Sequence, residues 1–194
     1  MGIDHDSILR AGKPADFSFR KLTHIDVPRF LETVGLEGAR FTRVAGVPER
    51  AESKKFLTRS IWLNNNQLRN ITNMDTLAEA VLEYPAQLGW IDFSYNRITE
   101  IDECITKFKD LKIVYFHGNC ISELDEIKKL KSLINLRSVT FHGNPIANHP
   151  QYRSFVIAIL PQLANLDFTP IIPNEKKFVQ PVDLMKKKER KIEK

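Results

Sequence analysis

Apolar residues recur in one eight-residue pattern through the middle of the chain. The pattern runs apolar, any residue, apolar, two residues, Asn, one residue, apolar, and it occurs at 61–68, 91–98, 114–121 and 139–146. Apolar residues that alternate around an exposed position predict a short strand with one buried face. An Asn side chain both donates and accepts hydrogen bonds, so it can satisfy backbone groups where the chain turns. The pattern therefore predicts four strands, each followed by a turn that an Asn closes.

The spacing of these turns predicts a solenoid. The four turn residues are Asn66, Asn96, Asn119 and Asn144, separated by 30, 23 and 25 residues. Periods of this length are typical of repeat architectures, so we expect the four side chains to stack as an internal ladder. The longer first interval predicts a helix over residues 74–84, which ends before Pro85. Apolar residues at every third position from Ile121 to Leu136 predict 3₁₀ turns or a short helix.

Three of the four copies are preceded by a leucine at the same distance, which completes the motif LxxLxLxxNxL. These leucines are Leu88, Leu111 and Leu136. The motif resembles the leucine-rich repeat family over about residues 56–169, and within it the SDS22-like intracellular class. The resemblance implies an α/β fold, a leucine-rich repeat solenoid with a short parallel concave sheet, a helical and 3₁₀ convex side, and a C-terminal cap.

The segments on either side of the repeats are expected to close the ends of the solenoid. Residues 152–168 predict an amphipathic helix and one last strand, similar to the cap of this class. The leader, residues 1–55, carries large apolar residues such as Phe17, Phe19 and Phe30, which predict that part of it covers the first repeat. The chain thus divides into this leader, a repeat and cap domain at 56–169, and a tail at 170–194.

Outward positions on the predicted strands form the candidate binding surface. The residues expected to contact a partner are Trp62, Asn64, Trp90, Asp92, Ile113, Tyr115, His117, Thr140 and His142. A face exposed only to solvent does not need several aromatic residues together, whereas aromatic anchors among a few polar groups are typical of protein-binding hot spots. The alternative is that the leader folds over these aromatic residues.

Candidate chemistry on the same strands is weak. His117 and His142 occupy equivalent places on neighbouring strands, which allows a metal or proton-transfer site. However, no third His is in register, because the first two copies carry Asn64 and Ser94 there. Cys120 has no oriented base nearby, and no glycine-rich phosphate loop is present. We therefore expect no enzyme activity, no cofactor and no metal.

The positive charge of the chain lies mainly at its end. The formal net charge is +5, but residues 56–174 carry −1 and residues 175–194 carry +4. The basic positions of the tail are Lys186, Lys187, Lys188, Arg190 and Lys191. Such a tail is either a solvated arm or a contact for an acidic surface such as a microtubule. Nucleic acid is less well supported, because Phe178 is the only aromatic residue there for base stacking.

The leader sequence Phe17-Ser18-Phe19-Arg20 and the two His-Gly-Asn turns resemble a small intracellular group of the family that is associated with ciliated cells. This resemblance implies a non-enzymatic scaffold in the axoneme of a cilium or flagellum, a monomer within a larger complex of axonemal and microtubule-associated proteins. No apolar leader or membrane-spanning run is evident, and the two cysteines suggest a reduced, cytoplasmic protein. The alternatives are a nuclear ribonucleoprotein adaptor resembling U2 A-prime and a phosphatase-regulating adaptor resembling SDS22.

Overall fold

A computed structural model describes residues 12–34 and 48–178 of the chain. The predictions for the remaining leader residues lie outside this part. So do the tail residues Lys186, Lys187, Lys188, Arg190 and Lys191. Within the described ranges, none of the helices has the length and apolar composition needed to cross a bilayer.

One seven-stranded sheet runs through the molecule in chain order. Its strands are β1 (Ala15–Asp16), β2 (Ser60–Trp62), β3 (Trp90–Asp92), β4 (Ile113–Tyr115), β5 (Ser138–Thr140), β6 (Asn165–Leu166) and β7 (Thr169–Pro170). Strands β1 to β6 are parallel, and only β7 pairs antiparallel with its neighbour. The register aligns Ile61, Ile91, Val114 and Val139, which are the first apolar positions of the four copies. The leucine-rich repeat solenoid predicted from the sequence is confirmed.

Helices and 3₁₀ turns make up the convex side. The helices are α1 (Val27–Val34), α2 (Met74–Val81), α3 (Tyr152–Ile159) and α4 (Pro173–Phe178), and the 3₁₀ segments are Pro85–Gln87, Glu103–Lys107, Leu124–Ser132 and Pro145–Asn148. Helix α2 ends three residues earlier than the predicted residue 84. The reason is Phe56, whose N–H donates to the Val81 carbonyl at 2.8 Å and whose carbonyl accepts from the Glu83 N–H at 3.0 Å. This bridge draws the chain out of the helix.

A column of phenylalanine rings fills the space between the sheet and the convex side. Phe93, Phe116 and Phe141 are fully buried and occupy the second apolar position of successive copies. Their rings stack with centroids 5.4 and 5.7 Å apart and interplanar angles of 16° and 4°. Equivalent positions therefore pack directly on one another, and the repeat period of the sequence becomes the period of the core.

The described part of the leader extends the sheet instead of crossing its concave face. Ala15 pairs with Ile61 and Asp16 with Trp62, so residues 15–22 follow the register of residues 61–68. Phe17 is buried and packs edge-on against Phe30 of α1 at 4.8 Å. Residues 15–22 therefore form a fifth copy of the repeat, one that our sequence pattern did not identify.

Candidate functional site

The Asn ladder fixes the turns that border the concave face. Asn119 shows the arrangement: its Nδ2 donates to the carbonyls of Phe93 and Phe116 at 3.0 and 2.8 Å. Its Oδ1 accepts from the N–H of Ile98 at 3.0 Å. Each such Asn thus bonds its own turn and the turn of the preceding copy. The same pattern holds for Asn66, Asn96 and Asn144.

The ladder also ties the leader to the repeats. Asn66 donates to the Phe17 carbonyl at 3.0 Å and accepts from the N–H groups of Arg20 and Leu22 at 2.9 and 3.1 Å. In addition, the Gln67 N–H donates to the Leu22 carbonyl at 2.8 Å. Asn66 therefore makes the same hydrogen bonds to the leader that each later Asn of the ladder makes to the repeat before it. The place of the Asn in this first copy is taken by Arg20.

Aromatic side chains form a continuous row across the concave face. The Trp62 and Trp90 rings meet edge to face at 5.2 Å, and Trp90 and Tyr115 meet in the same way at 5.8 Å. All three rings are half-buried, as is Ile113, which pairs with Trp90 in the register. Four of the residues expected to contact a partner therefore lie together as one surface, which we call the aromatic row.

Phe168 extends this row and was not expected from the sequence. The two-residue turn Asp167–Phe168 joins β6 to β7, and both residues have positive φ, 52° and 62°. Such a turn is of type I′ and reverses the chain. Phe168 therefore does not point into the core as Phe141 does at the equivalent position of the preceding copy. Its ring packs on Tyr115 at a centroid distance of 5.2 Å, and 57% of its surface is exposed. The aromatic row thus ends at the C-terminal cap.

The C-terminal end of the concave face is more covered than predicted. Thr140 is fully buried, and its hydroxyl is hydrogen-bonded to His117 Nδ1 at 2.9 Å. His117 is only 8% exposed, because it stacks on His142 at 4.7 Å and contacts the Phe168 ring at 5.5 Å. Thr140 therefore exposes no surface and His117 only a little, and the expectation that they contact a partner stays a prediction.

The two histidines pack against residues of the C-terminal cap. Asp167 accepts from the N–H groups of Phe141 and His142 at 2.6 and 2.9 Å, and from the Tyr152 hydroxyl at 2.8 Å. Burial, with repulsion from His142, lowers the pKa of His117 to about 4, so its ring is neutral near pH 7. Among the described residues, no group of three or more His, Cys, Asp or Glu side chains is placed to hold a metal.

The two cysteines differ in their burial. Cys120 is exposed, whereas Cys104 is partly buried and its thiol donates to the Ile71 carbonyl at 3.2 Å. Burial, together with the nearby Asp102, raises the pKa of the Cys104 thiol to about 12. The thiolate is the nucleophilic form of cysteine, so Cys104 is a structural side chain.

Two carboxylates flank the first tryptophan of the aromatic row. The register places Asp16, Trp62 and Asp92 side by side on β1, β2 and β3. Asp16 is only 3% exposed, and burial raises the pKa of Asp92, with a further contribution from the charge of Asp16. Sequence analysis found Asp92 but missed Asp16. Aligning residues 15–22 as a repeat copy without its Asn would have found it.

Asn64 lies beside this group, at the end of β2. It is half-buried, and its Oδ1 is covered without accepting a hydrogen bond from any described residue. Its backbone carbonyl accepts from the Phe19 N–H of the leader at 3.3 Å. The N-terminal half of the concave face therefore joins leader and repeat residues in one surface.

Comparison with known proteins agrees with this architecture. A sequence model described as leucine-rich repeat matches residues 80–192. Leucine-rich repeat-containing protein 51 of Macaca mulatta is 40% identical over 157 residues, which cover 80% of this chain and 77% of that protein. Centrosomal protein of 72 kDa of Mus musculus is 32% identical over 134 residues, which cover 63% of this chain and 21% of that protein.

A solved structure shares the fold along almost the whole chain. It is that of the Drosophila melanogaster SNF/U2A′ complex, whose matched chain superposes with a TM-score of 0.64 at 20% identity. The match covers 93% of this chain and 96% of the other. At this identity the likeness concerns the fold alone.

Proposed function

The chain belongs to the leucine-rich repeat family, and from that premise we propose that it is a non-enzymatic scaffold of the ciliary or flagellar axoneme that binds a protein partner through its concave face. The aromatic row carries the proposal. Trp62, Trp90 and Tyr115 stand in edge-to-face contact and remain half-buried, and Phe168 extends the row. Half-buried aromatic rings lose much further surface to a partner at little cost in side-chain entropy.

The rigidity of this face supports a binding role. Each aromatic side chain of the row up to Tyr115 stands on a strand whose neighbours are fixed by parallel pairing and by the Asn ladder. A preformed surface avoids the ordering cost that a flexible segment incurs on binding. The concave face thus provides a prepared platform for a protein segment, with Asp16 and Asp92 at one end and Phe168 at the other.

The placement in the axoneme rests on relatives. The leader and turn sequences resemble the group of the family associated with ciliated cells, and one relative is named for the centrosome, another microtubule-based structure. We propose that the chain is a monomer in a larger assembly of axonemal and microtubule-associated proteins, in the cytoplasm of the cilium. The basic tail beyond residue 178 supplies the positive charge that an acidic microtubule surface attracts.

The test combines localisation with one double variant. A tagged full chain expressed in multiciliated cells is expected in isolated axonemes by mass spectrometry and along cilia by microscopy. Trp62→Ala with Tyr115→Ala should abolish incorporation while leaving the circular dichroism spectrum unchanged. Ile134→Ala is the matched control, because Ile134 is an apolar residue 71% exposed outside the concave sheet.

Other results would redirect the assignment. Nuclear localisation with spliceosomal proteins would favour the ribonucleoprotein adaptor, and purification with a phosphatase catalytic subunit would favour the phosphatase adaptor. Unchanged axonemal incorporation of the folded double variant would show that the concave face is not the interface. Absence of the wild-type chain from axonemes would refute the ciliary placement.

A further inference from the structure

The N-terminal end of the concave face has an unusual order of side chains. Asp16, Trp62 and Asp92 are consecutive in the sheet register, so an indole stands between two carboxylates. Neighbouring strands lie about 4.8 Å apart, which puts the two aspartate backbones about 10 Å from each other. The side chains of Asp16 and Asp92 interact electrostatically, since the charge of Asp16 contributes to the raised pKa of Asp92.

Neither carboxylate has a counter-charge among the residues that the structure describes. No Lys, Arg or His nitrogen of residues 12–34 or 48–178 pairs with Asp16 or Asp92 within 4.0 Å. Each aspartate accepts one backbone hydrogen bond through Oδ1, from Ser18 N–H at 2.9 Å and from Ser94 N–H at 2.8 Å. Asp16 Oδ2 is buried and accepts no hydrogen bond from any described residue. Two like charges held near each other and away from solvent destabilise the free chain.

Other polar atoms around this point are also unsatisfied. Asn64 Oδ1 is a buried acceptor, and the Nε1–H groups of Trp62 and Trp90 are buried donors, all without a partner among the described residues. These atoms have no accessible surface, so a partner does not bond to them while the side chains stay in place. What this end of the face offers a partner is the half-buried carboxylate of Asp92 beside the half-buried Trp62 ring.

Arginine is the side chain that fits this set best. A guanidinium is planar, stacks on an indole face and donates two parallel hydrogen bonds to a carboxylate. Asp92 is the more exposed of the two aspartates and is placed to accept such bonds. Asp16, being buried, strengthens the attraction through its charge, because a charge in a low-dielectric setting acts over a longer range. Trp62 lies between them as the stacking surface.

We propose that Asp16, Trp62 and Asp92 form a receptor for an arginine side chain of a protein partner. The inference rests on the proposed function of the concave face as a protein-binding surface, and it specifies the chemistry of the bound segment. It also excludes a nucleic-acid backbone at this point, because phosphate and carboxylate repel each other.

The experiment selects peptides on the purified full chain. A phage-displayed library of random 12-residue peptides is panned, and clones whose capture is lost with Trp62→Ala are sequenced and synthesised. These peptides should contain arginine. Replacing it by citrulline, the neutral analogue of the same shape, should weaken binding at least tenfold. Asp92→Asn should weaken binding of the arginine peptide to a similar degree and Asp16→Asn several-fold, whereas Asp110→Asn, a carboxylate outside the concave face, should have no effect.

Thermal unfolding separates recognition from folding. An asparagine keeps the Oδ1 that accepts the backbone hydrogen bond and removes the charge. Asp92→Asn should therefore unfold at a higher temperature than the wild type while binding the peptide more weakly. A loss of binding that accompanies a lower unfolding temperature would overturn the proposal.

The two proposals fail in different ways. Peptides that require Trp62 but lack arginine, and that bind Asp92→Asn as well as wild type, would refute the arginine receptor and leave the concave binding face standing. If no selected peptide depends on Trp62, both the receptor and the binding role of the concave face are refuted.

Discussion

Replacing Asn119 by Ala should cost the solenoid a large part of its stability, and the ladder geometry gives the magnitude. The substitution removes the donors to the carbonyls of Phe93 and Phe116 and the acceptor for the Ile98 N–H. The two carbonyls keep a second donor each, from Asn96 and Asn144. The Ile98 N–H has no other partner among the described residues, so it becomes a buried unsatisfied donor.

These losses can be weighed separately. An unsatisfied buried donor costs about 1–3 kcal/mol, and each of the two lost hydrogen bonds contributes about 0.5–1.5 kcal/mol. The free energy of unfolding should therefore fall by about 2–6 kcal/mol, against a usual total of about 5–15 kcal/mol for a domain. Urea denaturation followed by circular dichroism measures the change. Asn148→Ala is the control, because Asn148 is exposed and makes no side-chain hydrogen bond that the ladder uses. Equal, small losses for the two variants would refute the ladder as a source of stability.

Three further changes test other parts of the structure. Phe17→Ala should lower the free energy of unfolding, measured by urea denaturation, by about 3–5 kcal/mol, because Phe17 is only 1% exposed. Phe19 is exposed, so Phe19→Ala should cost about 0.5 kcal/mol, and similar losses for the two variants would contradict the assignment of the leader as a repeat copy. Gly118→Ala should cost about 1–2 kcal/mol because its φ is +68°, while Gly89→Ala, with only ordinary contacts, should cost less by the same measurement. The pKa of His117 is about 4 in the folded chain against 6.5 for a free imidazole, so between these pH values the folded chain binds fewer protons than the unfolded chain. The free energy of unfolding should therefore fall as the pH drops from 6.5 to 4. Titration of the His117 ring near pH 6.5 in the folded chain, followed by NMR, would contradict this.

Most of the repeat body could be predicted from the sequence because its period is enforced by packing. The positions of Phe93, Phe116 and Phe141 were readable since each ring must stack on the equivalent ring of the next copy. The last residue of helix α2 could not be predicted from the sequence. It depends on a bridge from Phe56, which is distant in sequence and carries no local signal.

The candidate site was predicted less completely, for two physical reasons. The leader copy lacks the Asn, and its Leu22 stands 46 residues before the equivalent Leu68, far from the period of the other copies. Asp16 was hidden for that reason. At the other end, the pattern assigns Phe168 to the core, but the type I′ turn rotates it onto the concave face, where it packs against His117 and Tyr115.

The replacement of the Asn by Arg20 in the leader shows how the sequence signature depends on position. An Asn of the ladder bonds to the copy before it, and within the described residues no copy precedes residues 15–22. An Asn at the first copy would bond only its own turn, and Arg20 stands at that position instead. Counting repeats by this residue therefore misses the strand of the leader, as it also misses β6 at the other end, which pairs in register with β5 without an Asn of the ladder. A search for divergent members should score the apolar register ahead of the first Asn, and a truncation designed from the motif alone would remove a strand of the folded sheet.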